Sequence, residues 1–480
     1  MKNGGSDGTR EIAVLGAGES GLGVAQLAAA LGWRPFVSDL AAVRPDRLQA
    51  LEAAGAAVEH GRGKHDEARL MATGKSTGFV VKSPGIPENA PLVAALREAG
   101  IDILSEIEFA FRHLPSTGSV PTPVVAITGS NGKTTTTALT GHLFEQAGWR
   151  TNVAGNIGKS WAATVLAPTD IHVLEVSSFQ LDGVRTFRPN IAVLLNITPD
   201  HLDRYDHDME QYADAKWQIT AHQTPEDLLI LNADCPVSLA ALKRNGTAAR
   251  IAALSTSRTP DEVRAGLAGA GVRVWSAAGL TPNGEAFTIE IPAKSPFTMT
   301  IQELALQGKH NLHNSMASSV AARVLDLRKE GIRESLQQFD GIEHRLEFVQ
   351  EVNGIRFIND SKATNVNSAW YALESVTGPV IWVAGGVDKG NDYTSLLHLV
   401  DEKVDHLICL GKDNAKLKET FGPRVQTVHE VLSAEDAVGM AYHLGMPGMT
   451  VLLSPACASF DLFGSYEERG RAFKSAVKRL

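Results

Sequence analysis

Cysteine is scarce in this chain, with 3 residues in 480, and the three lie far apart at Cys235, Cys409 and Cys457. This scarcity argues against a disulfide framework and against a zinc site built on closely spaced thiolates, and it favours a reducing cytosol. No apolar run approaches the roughly 18 residues that a membrane span needs. The stretch from Met1 to Arg10 is polar and glycine-rich, unlike a secretory signal. We therefore expect a cytoplasmic protein without a membrane span.

An excess of positive charge is missing as well. With 45 Lys and Arg against 54 Asp and Glu, the net charge is −9, which gives no support to a nucleic-acid partner held through its phosphates. The hydrophobic content of 44% and the charged content of 21% are typical of a globular protein. A length of 480 residues is too great for one hydrophobic core, so the composition predicts several domains.

The most informative motif is present at residues 124–135, Val-Val-Ala-Ile-Thr-Gly-Ser-Asn-Gly-Lys-Thr-Thr. It predicts a buried strand from Val124 to Thr128, a glycine loop, and a helix from Thr134 to Ala147. In such a loop the backbone N–H groups and the helix N-terminus hold phosphates, the lysine reaches the terminal phosphates and the hydroxyl contacts Mg²⁺. The predicted ATP-binding residues of this loop are Gly129, Ser130, Asn131, Gly132, Lys133, Thr134 and Thr135.

One position departs from the strict phosphate-loop pattern, because Ile127 stands five positions before Gly132, where a glycine is expected. The departure points away from the common GTPase and kinase loops. An ordinary glycine-rich turn between strand and helix is the alternative interpretation. The Gly-Lys-Thr-Thr run in a strand–loop–helix context disfavours it.

A second glycine motif, Gly-Ala-Gly-Glu-Ser-Gly, follows a predicted strand from Ile12 to Leu15 and precedes an Ala/Leu-rich helix. The next predicted strand, Pro35 to Ser38, ends at Asp39. This is a Rossmann-type beginning, and by itself it would suggest a nicotinamide dehydrogenase. Because a stronger nucleotide loop follows, a diphosphate-bearing substrate is the preferred ligand. A turn that only packs helix against strand is the alternative.

The rest of the chain completes a three-domain α/β prediction. A Pro-, Ser- and Gly-rich linker is predicted from Ser116 to Pro123, and strands then alternate with helices as in a parallel sheet covered on both faces. The stretch 255–305 is expected to be a small antiparallel section, and Ser465 to Leu480 an amphipathic, basic, solvated helix. The predicted domains are a Rossmann-like domain at 1–117, a central phosphate-loop domain with a mainly parallel sheet at 118–341, and a Rossmann-like domain at 342–480.

The predicted strands of the two later domains lie at Val124–Thr128, His172–Val176, Ile191–Asn196, Leu228–Asn232, Ile355–Asn359, Val380–Ala384, His406–Leu410 and Val451–Ser454. Ligands of such sheets lie beyond the carboxyl ends of the strands. Polar loops after these strands are therefore the places to search for a site.

Three polar residues follow strands of the central segment. Glu175 ends one strand, and a carboxylate there can coordinate Mg²⁺. His201 lies at the tip of the next strand, and Lys216 shares a helix face with Tyr212, four residues earlier. A lone histidine is more often structural, and a helical lysine is usually solvated. Glu175 and His201 at successive strand tips beside a phosphate loop nevertheless favour a metal site.

Four motifs occur in order: Gly-Ser-Asn-Gly-Lys-Thr, Glu-Val-Ser-Ser-Phe-Gln-Leu, Asn-Ile-Thr-Pro-Asp-His-Leu-Asp and, at 308–314, Gly-x-His-Asn-x-x-Asn. With them the chain resembles the Mur ligase family, ATP-dependent amide-forming enzymes of peptidoglycan precursor synthesis, over essentially its whole length. The resemblance implies ATP as co-substrate, one or two Mg²⁺ ions, a carbamylated Lys216 and a monomer. It implies metal ligands at Thr134, Glu175, His201 and Lys216, catalytic roles for Lys133, His201 and Lys216, further nucleotide contacts at Asn311, Asn314, Arg345 and Asp388, and UDP-sugar contacts at Gly18, Ser20, Asp39 and Asn156.

The third segment indicates the amino-acid substrate. Lys362 follows a strand in Phe-Ile-Asn-Asp-Ser-Lys, and Ser459 follows another in Ser-Pro-Ala-Cys-Ala-Ser. A lysine with a hydroxyl group suits the side-chain carboxylate of a dicarboxylic amino acid. Tyr466 aligns with a family aromatic near the amino acid, and the Asp-Asn-Pro-Arg motif expected of a lysine- or diaminopimelate-adding relative is absent. The resemblance therefore implies that D-glutamate is joined to UDP-N-acetylmuramoyl-L-alanine through an acyl phosphate.

Other interpretations remain at this stage. A folylpolyglutamate synthetase would have a similar phosphate loop, although the Rossmann-like first segment and the Ser-Pro-Ala-Cys-Ala-Ser motif argue against it. A non-ligase phosphate-loop NTPase is a further alternative. Arg345 would be a surface arginine paired with Glu343 or Glu347 if it does not bind the nucleotide.

Overall fold

The computed structural model describes residues 10–115, 122–200, 202–339, 341, 343–388 and 390–480. Most of the predicted linker, residues 116–121, and the candidate ligand His201 lie outside the described residues. Three mainly parallel sheets, each with helices between its strands, follow one another along the chain. This confirms the predicted fold class. Within the described ranges, no helix combines the length and the apolar character that crossing a membrane requires.

The chain divides into two compact units. The first contains the N-terminal and central sheets and residues 313–337, and the second contains Leu304–Leu312 and Gln338–Leu480. Each unit is described by itself below.

The N-terminal sheet is five-stranded and parallel, with strand order β3-β2-β1-β4-β5. Its central strand is buried from Ile12 to Leu15, as expected for a parallel strand covered on both faces. The strands are β1 (Glu11–Leu15), β2 (Arg34–Asp39), β3 (Ala57–His60), β4 (Phe79–Lys82) and β5 (Asp102–Leu104). The helices are α1 (Glu19–Ala30), α2 (Pro45–Ala53), α3 (Glu67–Thr77), α4 (Pro91–Glu98) and α5 (Glu106–Arg112).

The central sheet has nine strands in the order β14-β13-β12-β11-β10-β9-β6-β8-β7, parallel except for the last two strands in sequence. The strands are β6 (Val124–Thr128), β7 (Thr151–Gly155), β8 (Ile171–Glu175), β9 (Ile191–Leu194), β10 (Leu228–Asn232), β11 (Arg250–Leu254), β12 (Ser276–Leu280), β13 (Ala286–Glu290) and β14 (Phe297–Thr300). The helices are α6 (Lys133–Gln146), α7 (Trp161–Thr164), α8 (Ser178–Leu181), α9 (Met209–Trp217), α10 (Pro236–Asn245), α11 (Pro260–Gly269), α12 (Lys309–Val324) and α13 (Lys329–Gln338).

The stretch 255–305 contains the expected antiparallel section, formed by β12, β13 and β14. It also contains helix α11, which the sequence interpretation missed. The signal was present, because Thr259 and Glu262 form a capping box and Pro260 occupies the first helical turn. Local capping therefore specifies a helix inside a segment whose overall composition resembles that of short strands.

The C-terminal sheet has six strands in the order β15-β16-β20-β17-β18-β19, with only the β15–β16 pair antiparallel. The strands are β15 (Glu347–Val352), β16 (Ile355–Asn359), β17 (Val380–Ala384), β18 (Val404–Leu410), β19 (Thr427–Val431) and β20 (Thr450–Leu453). The helices are α14 (Val366–Ser375), α15 (Leu397–Lys403), α16 (Ala415–Phe421), α17 (Ala434–Leu444) and α18 (Tyr466–Val477).

Helix α18 corrects the expectation of a solvated cap. One face of it, made by Arg469, Phe473, Ala476 and Val477, is buried. These residues follow a helical spacing, so they form a stripe that packs against the sheet, while Glu468, Arg471 and Lys478 on the other side are exposed. The buried stripe includes an arginine, and an arginine in a basic segment is normally expected to be exposed. The sequence therefore did not indicate that this face is buried.

Helix α5 connects the N-terminal sheet to the central one within the first unit. The Glu108 side chain is fully buried and accepts hydrogen bonds from the backbone N–H groups of Arg185, Thr186 and Phe187, at 2.9–3.1 Å. It also accepts from the Thr186 hydroxyl at 2.7 Å and from Arg112 Nε at 2.8 Å. Burial alone would raise the pKa of Glu108, but these hydrogen bonds outweigh it and hold the pKa below its ordinary value.

Replacing Glu108 with Ala is expected to lower the free energy of unfolding by about 3 kcal/mol, because several buried donors lose their acceptor. Since the pKa of Glu108 is lowered in the folded state, its stabilisation is present above the ordinary glutamate pKa and is lost as the pH falls through the folded-state value. Denaturant unfolding at neutral and acidic pH measures both effects. Glu98→Ala, an exposed position on α4, is the matched control, and equal stability of the two variants would refute the role of Glu108.

Candidate active site

The phosphate loop joins β6 to α6, as predicted. Gly129 has φ +153° and Gly132 has φ +83°, backbone conformations that side chains disfavour, and Gly132 is the N-cap of α6. Thr134 is buried in the first turn of the helix. Lys133 Nζ donates hydrogen bonds to the carbonyl oxygens of Gly129 at 2.8 Å and Ser130 at 2.9 Å, so its ammonium group lies over the loop.

Asn196, directly after β9, holds this loop through three groups. Its carbonyl oxygen accepts from Ser130 N–H, its Oδ1 accepts from Asn131 N–H, and its Nδ2 donates to the Asn131 carbonyl, at 2.9–3.0 Å. Because β9 pairs in parallel with β6, the two strands end side by side. Asn196 belongs to a sequence motif that did not by itself indicate this role, although its position at a strand end was the available signal.

Ser130 is held from another direction. Its hydroxyl donates to the Thr198 carbonyl at 2.9 Å and accepts from Thr198 N–H at 3.0 Å, and Tyr212 Oη lies 3.1 Å away. Tyr212 belongs to α9, the helix that carries Lys216. These hydrogen bonds within the protein hold the phosphate loop in one shape.

Glu175 ends β8 next to the loop, since β8 pairs in parallel with β6 and places Glu175 opposite Ile127. Its carboxylate is buried, and Oε1 accepts a hydrogen bond from Asn156 Nδ2 at 2.8 Å. The neighbouring Gly155 lies so close that a Cβ there would approach the Glu175 carbonyl to 2.3 Å. Asn156, predicted as a UDP-sugar contact, is therefore also a residue that orients the Glu175 carboxylate.

Lys216 is buried on α9, with Nζ donating to the Gly129 carbonyl at 3.0 Å and lying 4.5 Å from the centre of the Tyr212 ring. The same carbonyl oxygen accepts from Lys133. Burial, and then the positive charge of Lys133, hold the pKa of Lys216 well below its ordinary value. An uncharged amine at this position is a nucleophile, whereas a solvated lysine would be a cation.

The oxygen donors beside the phosphate loop suit Mg²⁺. The Thr134 hydroxyl and the Glu175 carboxylate are both buried and follow adjacent parallel strands. A carboxylate and a hydroxyl are hard oxygen ligands of the kind this ion prefers. His201 lies outside the described residues, and Lys216 as an amine offers no oxygen, so the four-residue ligand set stays a prediction.

Helix α12 carries the two asparagines predicted to contact the nucleotide. Asn314 lies against the phosphate loop, since a Cβ on Gly132 would approach Asn314 Oδ1 to 2.6 Å. Asn311 Nδ2 donates to the Gln307 carbonyl at 2.9 Å and belongs to the second unit. Asn314 is thus placed next to the phosphate loop by the structure, and the nucleotide contact of Asn311 stays a prediction.

The N-terminal glycine turn has two kinds of glycine. Gly16 and Gly21 are packing positions, because a Cβ on Gly21 would lie 1.9 Å from the Gly16 carbonyl oxygen. Gly18 is exposed, and a Cβ there would meet nothing within 4 Å. Ser20 is half-buried in the first turn of α1, and Asp39 accepts from the backbone N–H groups of Ala17 at 2.8 Å and Ala41 at 2.9 Å. The turn therefore packs helix against strand and also leaves an open face at Gly18.

The second unit contains the residues predicted to bind the amino acid. Lys362 Nζ lies 5.4 Å from the centre of the Tyr466 ring, so these two residues are brought together. Ser459 is buried in the loop after β20, where its carbonyl accepts from Phe463 N–H at 3.0 Å. Lys362 and Ser459 follow β16 and β20, which are neighbouring parallel strands.

Arg469, which the sequence analysis did not single out, connects the loops around these residues. Its guanidinium is buried and donates to Ser361 Oγ at 3.0 Å, to the Ser361 carbonyl at 2.9 Å, and to the carbonyls of Gly385 and Cys457 at 3.2–3.3 Å. Burial lowers the pKa of Arg469 to about 10. Ser361 adjoins Lys362, and Cys457 lies two residues before Ser459, so one side chain fixes both loops.

Asp388 and Arg345 also lie in the second unit. Asp388 accepts from the N–H groups of Gly390 at 2.6 Å and Asn391 at 2.8 Å, and from the Tyr393 hydroxyl at 2.9 Å. Burial would raise the pKa of Asp388, but these hydrogen bonds hold it below its ordinary value. The carboxylate thus shapes its own turn, and the nucleotide contacts of Asp388 and Arg345 stay predictions.

Three sheets with a phosphate loop in the second define a three-domain nucleotide-dependent enzyme of the α/β class. Comparison with known proteins specifies it further. The Mur ligase MurD-like, N-terminal domain matches residues 10–105, the Mur ligase middle domain residues 127–322, and the Mur ligase, glutamate ligase domain residues 344–457.

Proteins similar over the full length include two that are named UDP-N-acetylmuramoylalanine–D-glutamate ligase. The one from Bacteroides fragilis is 47% identical over 98% of this chain and 100% of its own, and the one from Christiangramia forsetii is 45% identical over the same shares. The chain therefore belongs to the Mur ligase family. It is an ATP-dependent ligase that forms amide bonds, and enzymes of this family use ATP with Mg²⁺.

Solved structures agree in fold. The UDP-N-acetylmuramate-alanine ligase of Thermotoga maritima gives a TM-score of 0.58 at 16% identity, over 98% of this chain and 99% of that one. Escherichia coli FolC, a complex with DHPP and ADP, gives a TM-score of 0.53 at 16% identity over 78% of this chain and 92% of its own. These two structures show the fold alone, whereas relatives similar along the whole chain carry the D-glutamate ligase name.

The phosphate loop supplies a direct test of its role. Gly132→Ala is expected to weaken ATP binding about ten-fold or more, because the new Cβ would collide with Asn314 and φ +83° costs a non-glycine residue about 1–2 kcal/mol. Titration calorimetry with ATP and Mg²⁺ measures this. Gly269→Ala, at the end of α11 where a Cβ meets nothing, is the matched control and should bind normally. Normal ATP affinity in Gly132→Ala would remove this loop from the nucleotide site.

Proposed function

We propose that this protein joins D-glutamate to UDP-N-acetylmuramoyl-L-alanine, with ATP hydrolysed to ADP and phosphate, in the synthesis of peptidoglycan precursors. The observation that carries the proposal is the similarity of 45–47% over 98% of the chain to proteins named for this reaction. That similarity spans the loops of Lys362 and Ser459, the residues that suit a dicarboxylic amino acid. Three free, buried cysteines agree with the cytoplasmic location that this reaction requires, and a monomer remains the prediction.

In the first step, an oxygen of the L-alanine carboxylate attacks the γ-phosphorus of ATP, and the bond to the β-phosphate oxygen breaks, leaving ADP and an acyl phosphate. Lys133 would exchange its two carbonyl partners on the loop for phosphate oxygens and neutralise charge there. Backbone N–H groups at the start of α6, in a loop held by Asn196 and Thr198, would bind the phosphates. Gly18, Ser20 and Asp39 would bind the UDP-sugar from the N-terminal sheet.

Mg²⁺, when bound, would offset charge on the phosphates, and Thr134, Glu175, His201 and a carbamylated Lys216 would hold it. A carbamate on Lys216 is consistent with the local environment of its side chain. Its amine is buried near Lys133, and an uncharged amine is the form that adds to carbon dioxide. The product is an anion, so an amine without any oxygen atom is replaced by an oxygen ligand that would bind the metal.

In the second step, the amine of D-glutamate attacks the acyl carbon, the amide bond forms, and phosphate leaves. Lys362 would bind the side-chain carboxylate, together with the Ser459 hydroxyl, while Tyr466 flanks the ammonium group of Lys362. Arg469 would hold both loops in register through Ser361 and Cys457. A basic amino acid would instead meet the charge of Lys362.

Turnover with UDP-N-acetylmuramoyl-L-alanine is expected with D-glutamate and not with L-lysine or meso-diaminopimelate. Phosphate release measured with each amino acid tests this, and the amide product is identified by mass. Equal turnover with L-lysine would contradict the assignment, and phosphate release without any amino acid would favour an NTPase.

Lys362→Gln is expected to raise KM for D-glutamate about ten-fold or more while KM for ATP stays unchanged, because a charge-assisted contact to the amino acid is lost. Initial rates at varied D-glutamate and varied ATP separate the two constants. Lys478→Gln, an exposed position at the end of α18, is the matched control. A rise in both constants, or in neither, would count against Lys362 as an amino-acid contact.

Lys216→Ala is expected to be nearly inactive and to regain part of its turnover in added acetate, because a small carboxylate can fill the position of the carbamate oxygens. Lys216→Arg should stay inactive, since it restores only a cation. Bicarbonate labelled with ¹³C should give a carbamate carbon signal in the unaltered protein that Lys216→Ala lacks. Lys243→Ala, an exposed lysine on α10, should keep full activity without any acetate effect. An active Lys216→Arg would exclude the carbamate.

A further inference from the structure

Arg204 lies between β9 and α9 of the central domain, and its side chain contacts the loop between β4 and α4 of the N-terminal domain. It lies in a short 3₁₀ turn, Leu202–Tyr205, and its side chain is 11% exposed. Its guanidinium donates to the carbonyl oxygens of Pro84 at 2.5 Å and Ile86 at 3.4 Å, and lies 3.5 Å from Glu88 Oε1. It is 4.0 Å from the centre of the Phe179 ring, which fixes its plane.

The loop that receives Arg204 is itself held rigidly. Lys82, almost fully buried, donates to the Ile86 carbonyl at 2.8 Å and pairs with Glu88 at 2.8 Å. Arg97, on helix α4 of the N-terminal domain, binds the same Glu88 carboxylate. Glu88 therefore forms ion pairs with Lys82 and Arg97 of its own domain and with Arg204 of the neighbouring one.

The residues joined by Arg204 adjoin two loops that would bind substrates in the proposed function. On the N-terminal side, Ser83 N–H donates to the Leu15 carbonyl at 2.8 Å, and Ser83 Oγ lies 3.4 Å from the Gly16 carbonyl, at the start of the glycine turn. On the central side, the turn of Arg204 lies between Thr198, which binds the phosphate loop, and α9, which carries Lys216. Arg204 therefore joins two chain segments that adjoin the glycine turn and the phosphate loop.

A cavity of about 1080 Å³ lies beside this link and is lined by Glu88, Arg204 and Asp182 among others. The polar contacts of Arg204 therefore join the two domains at the edge of this cavity.

We propose that Arg204 is a positioning residue that keeps the diphosphate-binding turn of the N-terminal sheet in register with the phosphate loop. The inference rests on the proposed function, in which the acceptor is bound by one sheet and ATP by the other. In-line attack needs the reacting atoms about 3–3.5 Å apart, so a small loss of register between the sheets lowers the rate steeply.

Arg204→Gln is expected to lower kcat/KM for UDP-N-acetylmuramoyl-L-alanine about ten-fold, through both a higher KM and a lower kcat, while KM for ATP stays within two-fold. Arg97→Gln is the matched control, because it removes a cation from the same carboxylate without crossing between sheets. Arg204→Lys should be intermediate, since a point charge reaches Glu88 but does not span two carbonyls. Combined with Glu88→Gln, the Arg204→Gln loss should be less than additive.

Hydrogen exchange without substrates keeps this test separate from that of the proposed function. Peptides covering 83–90 and 202–208 should exchange faster in Arg204→Gln than in the unaltered protein or in Arg97→Gln. Unchanged exchange in both peptides, unchanged kcat/KM, or an equal loss toward ATP would overturn the positioning role. If the unaltered protein fails to use the acceptor and D-glutamate, the proposed function fails, and the exchange result still decides whether Arg204 joins the two loops.

Discussion

The parallel pairing of β6 with β8 and β9 is the constraint on which the site depends. It brings the ends of three strands to one edge, so that the phosphate loop, Glu175 and Asn196 lie side by side although they are far apart in sequence. Asn196 then satisfies loop groups that would otherwise need water, which fixes the loop in the shape that phosphates require. In the proposed function, a loop ordered in this way would spend less of the binding energy of ATP on its own ordering.

The two lysines of the site show how the fold sets chemistry. Lys133 and Lys216 donate to one carbonyl oxygen, that of Gly129, and two ammonium groups at such a place repel each other. The buried one, Lys216, has the lowered pKa, while Lys133 sits closer to solvent. Burial thus separates two residues of the same type, and this difference underlies the separate roles proposed for them above.

In the second unit, burial also determines the role of a charged side chain, the guanidinium of Arg469. Arg469 has backbone carbonyls and a hydroxyl as its partners, and these belong to loops after neighbouring strands of the sheet. A buried arginine with several fixed acceptors holds the loops at defined distances, because its planar fork cannot satisfy them in another geometry. The loops of Lys362 and Ser459 depend on this side chain, which lies on a helix that resembles a solvated terminus in sequence.

The three α/β domains, the phosphate loop and the family could be predicted from the sequence, because they depend on local patterns: apolar runs, glycine positions and motif order. Strands with long apolar runs, such as β6 and β10, were predicted at their observed bounds, whereas edge strands such as β7, β15 and β19 were missed because they are only half-buried. Only the tertiary structure decided that Asn196 holds the phosphate loop, that Asn156 orients Glu175, and that Arg204 and Arg469 join separate loops. Those roles depend on which side chains meet across strands and sheets, and residues distant in the chain carry no local signal of such a meeting.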